Sequence, residues 1–238
     1  MVFTRSYTSN QLPFHRAEAL RYFGYPQSAI PTPTVRSLFD ECVEEGISAC
    51  SYQVCYTELD VKINSPCDMD LGFIKANSRA LFTNLKGCEK VIAFAATVGL
   101  GVDRLLARYG AISADKAYAV QAIGAERIET LCNVFNREMA EKYRQKGYYA
   151  RPRFSCGYGD FSIEHQRAFI SYLDCERKIG LTVNDSLLLS PSKSVTALIG
   201  LGKSPVKNQT ESCENCNQKS CEYQRQNEEN LNDEKDRS

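Results

Sequence analysis

Between Ser113 and Gly147 the chain reads SADKAYAVQAIGAERIETLCNVFNREMAEKYRQKG. This is a helical pattern of about 33 residues, which at the α-helical rise would reach roughly 50 Å. Ser113 suits the N-cap, Gly147 the stop, and Ile128, Leu131, Cys132, Phe135 and Met139 recur at helical spacing along one side. Such a length is unusual in a globular domain. Gly124, a weak helix former, marks the place where the helix could break.

The segments on either side alternate between strand and helix patterns. PTPTVRSLFDECVEEG predicts a helix capped by Thr32, with Pro33 in its first turn, a stripe of Val35, Leu38, Phe39, Cys42 and Val43, and Gly46 as its end. SYQVCYTELDVKI places Tyr52, Val54 and Tyr56 on one face and continues through Leu59, Val61 and Ile63, which suits one or two half-buried strands. SRALFTNLKG is a short helix stopped by Gly87. KVIAFAATVG is a continuous apolar run of small residues, the pattern of a strand buried on both faces. A helix from Ser162 to Gly180 comes after the long one. DSLLLSPSKSVTALIGLGK then predicts a hairpin turning at Pro191 to Ser194. The order predicts an α+β fold, an antiparallel sheet flanked by helices, over residues 1–203.

Composition narrows the function. A formal net charge of zero supplies no field that would attract nucleic acid or an anionic membrane. No segment approaches the ~18 apolar residues of a membrane span, and the N-terminus has no signal-type apolar core, so a cytoplasmic protein is expected. Eleven cysteines, an odd number of which eight are scattered through helix and strand patterns, do not make a secreted disulfide framework. Cys42, Cys88 and Cys132 lie on apolar faces and are expected to be small buried hydrophobes.

The connection after the long helix, ARPRFSCGYGDFSIEHQ, carries rigid, permissive, cationic and aromatic residues together. Pro152 pushes Arg151 toward an extended conformation, and Gly157 and Gly159 allow backbone geometry or close ligand approach that other residues resist. An arginine here can grip a carboxylate through two parallel hydrogen bonds, and Tyr158 offers a flat face and a hydroxyl. These residues describe one wall of a pocket. The same spacing also fits a tight helix-to-helix turn with Tyr158 in the core and the arginines solvated.

The stretch from Arg153 to Tyr158 resembles the Arg-x-x-x-Gly-Tyr loop of the activation domain of cobalamin-dependent methionine synthase. The ordered surroundings extend that resemblance over roughly residues 71–203: a small-residue strand, the long helix containing AERIE, the loop, a helix ending LDCERKIGL, then SLLLSPSKSVTAL. It is most similar to the short, free-standing bacterial form. The resemblance implies a domain that binds S-adenosylmethionine and covers the cobalamin module of a partner once the cofactor has become inactive cob(II)alamin. A flavodoxin or ferredoxin-type donor then reduces the cobalt, and S-adenosylmethionine remethylates it. The cofactor and methyl donor carry the chemistry, while the protein supplies orientation and excludes water. By the same resemblance Arg153 meets the ligand carboxylate or fixes the loop, Gly157 leaves room for the ligand, and Tyr158 lies toward the corrin. Cys156 stands where the family usually has proline, and Glu126 matches an acidic helix position facing the cobalamin module.

From residue 204 to 238 the chain is a polar tail of a composition that cannot build a core and is expected to be disordered. Within it Cys213, Cys216 and Cys221 form C-x2-C-x4-C, a thiolate set suited to zinc or an iron–sulfur cluster though one ligand short of four. Free or reversibly oxidised thiols fit the same spacing. Two other functions therefore stand beside a reactivation subunit: a metal- or cluster-bearing redox module acting on a corrinoid protein, and a non-catalytic corrinoid-protein binding partner.

Overall fold

The computed structural model of the protein describes residues 1–25 and 29–205. Its elements are β1 (Phe3–Tyr7), a 3-10 turn (Ser9–Gln11), α1 (Arg16–Tyr22), α2 (Pro33–Ser48), β2 (Tyr52–Asp60), β3 (Lys62–Ser65), β4 (Asp68–Asp70), β5 (Lys75–Asn77), α3 (Arg79–Leu85) and β6 (Cys88–Thr97). After these come α4 (Leu100–Gly110), α5 (Ala114–Arg144), β7 (Tyr149–Ala150), β8 (Phe154–Ser155), α6 (His165–Tyr172), α7 (Cys175–Ile179), β9 (Thr182–Val183), β10 (Leu189–Ser190) and β11 (Ser194–Gly202).

The main sheet runs β1-β2-β6-β11-β7, with β8 also on β11, and every pairing is antiparallel. Strand side chains alternate between its two faces. Tyr52, Val54, Ile92, Phe94, Ala96, Ala197, Ile199 and Leu201 face a core shared with α1, α2, α4 and α5. Cys55, Val91, Ala93, Ala95 and Leu198 face a second core with α3, α6, α7 and the small β3-β4-β5 sheet. The small side chains of β6 are what let helices cover both faces of this central strand. The α+β expectation therefore holds, and β2 is more deeply buried than a one-sided strand, with Val54 and Cys55 both inaccessible to solvent.

The long helix forms without a break. Ser113 caps α5, its hydroxyl accepting from the Lys116 amide, and Ile128, Leu131, Cys132, Phe135 and Met139 pack on the sheet as their spacing requires. Gly124 is a point of close approach: a Cβ there would lie 2.9 Å from Val102 Cγ1 and 3.1 Å from Lys193 Cγ. Gly46 likewise does not end α2, which continues to Ser48. It lets α2 close on α5, since a Cβ would stand 3.0 Å from Ile123 Cγ2. Gly124→Val is expected to destabilise the fold by about 1–3 kcal/mol, the usual cost of overpacking. Urea denaturation would read this as a lowered midpoint, and an unchanged midpoint would refute the close-approach account.

Two expectations about the C-terminal third change. The helix expected from Ser162 to Gly180 is split, because Asp174 takes a left-handed conformation at φ 53° between α6 and α7. The split lets Phe169 and Leu173 from one part, and Cys175 and Ile179 from the other, reach the same core. The hairpin expected at Pro191 to Ser194 is also absent. Leu189 and Ser190 pair with Val183 and Thr182, while β11 pairs with β6 from Ser194 to Gly202. Residues 195–201 are too apolar on both faces to serve as the exposed arm of a hairpin, and they take an interior place instead.

Eight cysteines fall among the described residues and all are free, with Cys42, Cys88 and Cys132 buried as expected. The tail from Val206 onward, including Cys213, Cys216 and Cys221, lies outside the described residues. No helix among the described residues is long and apolar enough to cross a membrane.

Candidate functional site

The connection after α5 runs back along β11, and its proline sets which way each arginine points. Ala150 pairs with Leu201 and Phe154 with Leu198. Arg151, Pro152 and Arg153 thus stand opposite only Ile199 and Gly200, one residue too many. Pro152 has no amide hydrogen to give the ladder, and the surplus residue is taken up as a bulge. In a regular strand Arg151 and Arg153 would share a face. Across the bulge they separate: Arg151 packs beside Gly200 on the α3 side, whereas Arg153 reaches α5.

Beyond β8 the chain turns sharply. Gly157 has φ 89°, a conformation that favours glycine, and a Cβ there would also meet Ile163 Cδ1 at 3.2 Å. Its amide donates to the Phe161 carbonyl at 2.8 Å. Asp160 fixes the turn to α3, accepting from Ser78 Oγ at 2.5 Å and from the Arg79 and Ala80 amides at 2.8 and 3.1 Å. The Ser78 hydroxyl and these two amides hold its carboxyl down to about 2. Phe161 is buried and stacks on His165, with ring centroids 5.1 Å apart. Tyr158, at the apex, stays 66% exposed, so it is not a core residue.

This turn and α5 enclose a cleft of about 530 Å³. Glu129, Asn133 and Asn136 line it from α5, Arg153, Cys156 and Tyr158 from the loop, and Gln166, Leu189 and Thr196 close it. Arg153 donates to Glu129 Oε2 at 2.5 Å and to Asn133 Oδ1 at 2.7 Å, which holds its guanidinium against the helix. Asn136 Oδ1 is buried and has no hydrogen-bond partner among the described residues. Burial pushes the Cys156 thiol up to about 12, so it is a neutral wall atom and not a nucleophile at physiological pH. The cleft thus offers a cation for a carboxylate, a carboxylate for an ammonium, amides for hydrogen bonds and an exposed aromatic ring at its mouth. No histidine lines it.

The structure brings Arg153, Cys156 and Tyr158 to this cleft, with Gly157 between them in the turn. It does not bring Glu126 there. That side chain is 1% exposed and its two oxygens accept from Arg127 at 2.6 and 2.8 Å, Thr130 Oγ1 at 2.7 Å and the His15 amide at 3.0 Å. Glu126 neutralises buried Arg127, whose other hydrogen bonds go to the Leu12 and Pro13 carbonyls. The acidic residue of AERIE that reaches the cleft is Glu129. The signal in the sequence is Glu129, Asn133 and Asn136, polar positions spaced four and three residues apart and so on one side of α5. Among the described residues no group of three or more metal-ligating side chains occurs.

No protein-family model and no curated protein matches the chain. Among solved structures it is similar to the MetH reactivation domain in a crystal structure with AdoHcy bound. The two superpose with a TM-score of 0.60 at 13% identity, covering 84% of this chain and 78% of that one. The chain has the fold of that domain, a mixed architecture around a curled antiparallel sheet.

Proposed function

We propose that this chain binds S-adenosylmethionine in the cleft between α5 and the Arg153–Tyr158 loop. In this reading it serves as a reactivation subunit for cobalamin-dependent methionine synthase. The observation that carries the reading is the pairing of a tethered arginine with a buried acceptor that has no partner among the described residues, Asn136 Oδ1, in one cleft of suitable size. The fold shared with a domain that holds AdoHcy supports it.

Arg153 binds the ligand carboxylate, with Glu129 and Asn133 fixing the guanidinium before the ligand arrives. Glu129 is also placed to receive the ligand's ammonium, and Asn136 Oδ1 to accept one of its N–H groups. Tyr158 stands at the mouth of the cleft as the aromatic contact for a partner that closes over it. Cobalamin, carried by the partner, supplies the methyl-accepting metal, and a flavodoxin or ferredoxin-type protein supplies the electron. This chain contributes placement and exclusion of water.

The test is a synthase lacking its own activation module and trapped as cob(II)alamin, given homocysteine and its ordinary methyl donor together with S-adenosylmethionine and a reductant. Methionine formation should recover only when this protein is added, and Tyr158→Ala should cut the recovery about tenfold, in line with loss of a central aromatic contact. Equal recovery without the protein would remove the function. Recovery untouched by Tyr158→Ala would displace the contact from that face.

A further inference from the structure

The bulge at Pro152 gives the molecule a second cleft, on the other side of the same connection. It has a volume of about 560 Å³ and is bordered by Arg79 and Lys86 at the two ends of α3 and by Arg151. No acidic side chain is among its lining residues. Arg79 and Lys86 are exposed and make no ion pair among the described residues. The Arg151 guanidinium donates to the Ser204 carbonyl at 3.1 Å and lies beside the Cys88 thiol, with no carboxylate partner among the described residues. Three cations around one concavity with no counter-charge among the described residues repel one another, so an anion placed between them is stabilised by all three.

Two further observations describe the rest of the ligand. Asn84 lines the cleft with its Nδ2 engaged on the Pro152 carbonyl at 3.1 Å, which fixes the amide's orientation. Its Oδ1 is buried without a hydrogen-bond partner among the described residues. An acceptor in that position calls for an N–H or O–H donor on the ligand. Phe82 and Pro152 add apolar surface suited to a flat organic group. We propose that this cleft binds a nucleotide, with the phosphates between Arg79, Lys86 and Arg151 and the base or sugar donating to Asn84. The volume is within the usual range for such a site. S-adenosylmethionine, which has no phosphate, is not its ligand.

The experiment is titration calorimetry of the full chain with ATP, tripolyphosphate and adenosine at low and moderate salt. ATP should bind, weakening as salt rises. Tripolyphosphate should bind more weakly than ATP, and adenosine should not bind. The double variant Arg79→Ser, Lys86→Ser alters only exposed side chains. It should lose about a hundredfold in ATP affinity, as expected for two charge-assisted contacts. S-adenosylmethionine affinity should stay unchanged in that variant. Absence of ATP binding at millimolar concentration, ATP affinity indifferent to the double variant, or tripolyphosphate binding as tightly as ATP would each overturn the proposal.

Discussion

Arg153→Ala should weaken S-adenosylmethionine binding by about a hundredfold, read as the dissociation constant in a calorimetric titration. Loss of a charge-assisted pair is worth about 1.5–3 kcal/mol, and each 1.4 kcal/mol is a factor of ten. The effect should lie at the upper end of that range, because Glu129, relieved of its partner, would face the incoming carboxylate with an unbalanced negative charge. Arg151→Ala should change the affinity by no more than a few-fold, since Arg151 lies across the bulge on the α3 side. Equal losses from the two substitutions would mean that the arginines are not sorted to opposite sides as the register of β7 and β8 requires.

A second large effect is expected far from any ligand. Glu126→Ala would strand the Arg127 guanidinium, which is 1% exposed, with the Leu12 and Pro13 carbonyls and the Phe14 ring but no counter-charge. Removing one partner of a buried ion pair costs about 3–5 kcal/mol, because the remaining charge stays desolvated. Urea unfolding should register that loss as a much lower midpoint. The folded fraction should still bind S-adenosylmethionine with unaltered affinity, since Glu126 touches no part of the cleft. A midpoint change of less than about 1 kcal/mol equivalent would show that the cluster is not sealed from water. Intact stability with impaired ligand binding would return Glu126 to the functional site.

The contrast between these two glutamates shows what the sequence makes legible. Glu126 and Glu129 sit in the same AERIE stretch, and helical periodicity assigns each to a side of α5 without saying what packs there. The buried neighbour of Glu126 is a segment more than a hundred residues earlier, a relation no local pattern encodes. Strong local signals held: the cap and apolar stripe of α5 and the small-residue run of β6 both formed where their patterns put them, while the break suggested by Gly124 did not form. The hairpin at Pro191 did not, because alternation identifies a strand but not the strand that pairs with it. The loop was recognisable from Arg153, Gly157 and Tyr158, yet the choice between Arg151 and Arg153 depended on a one-residue excess against β11. That excess exists only once both strands are in register.

The position of β11 bears on how the chain reaches its native state. The last strand to be synthesised among the described residues lies inside the sheet, between β6 and the β7/β8 edge, and not at a margin. Until it arrives, one rim of β6 presents unpaired amides and carbonyls on a strand whose side chains are apolar on both sides. Closing it joins Thr97 to Ser194 and Cys88 to Gly202, contacts of high sequence separation that carry a large loop-closure entropy and slow folding. A nascent or stalled chain ending before Ser194 would therefore carry an open, adhesive edge at its centre. Its hazard is association with other such chains, which makes completion of β11 the step that converts a self-associating intermediate into a domain with its central strand paired on both sides.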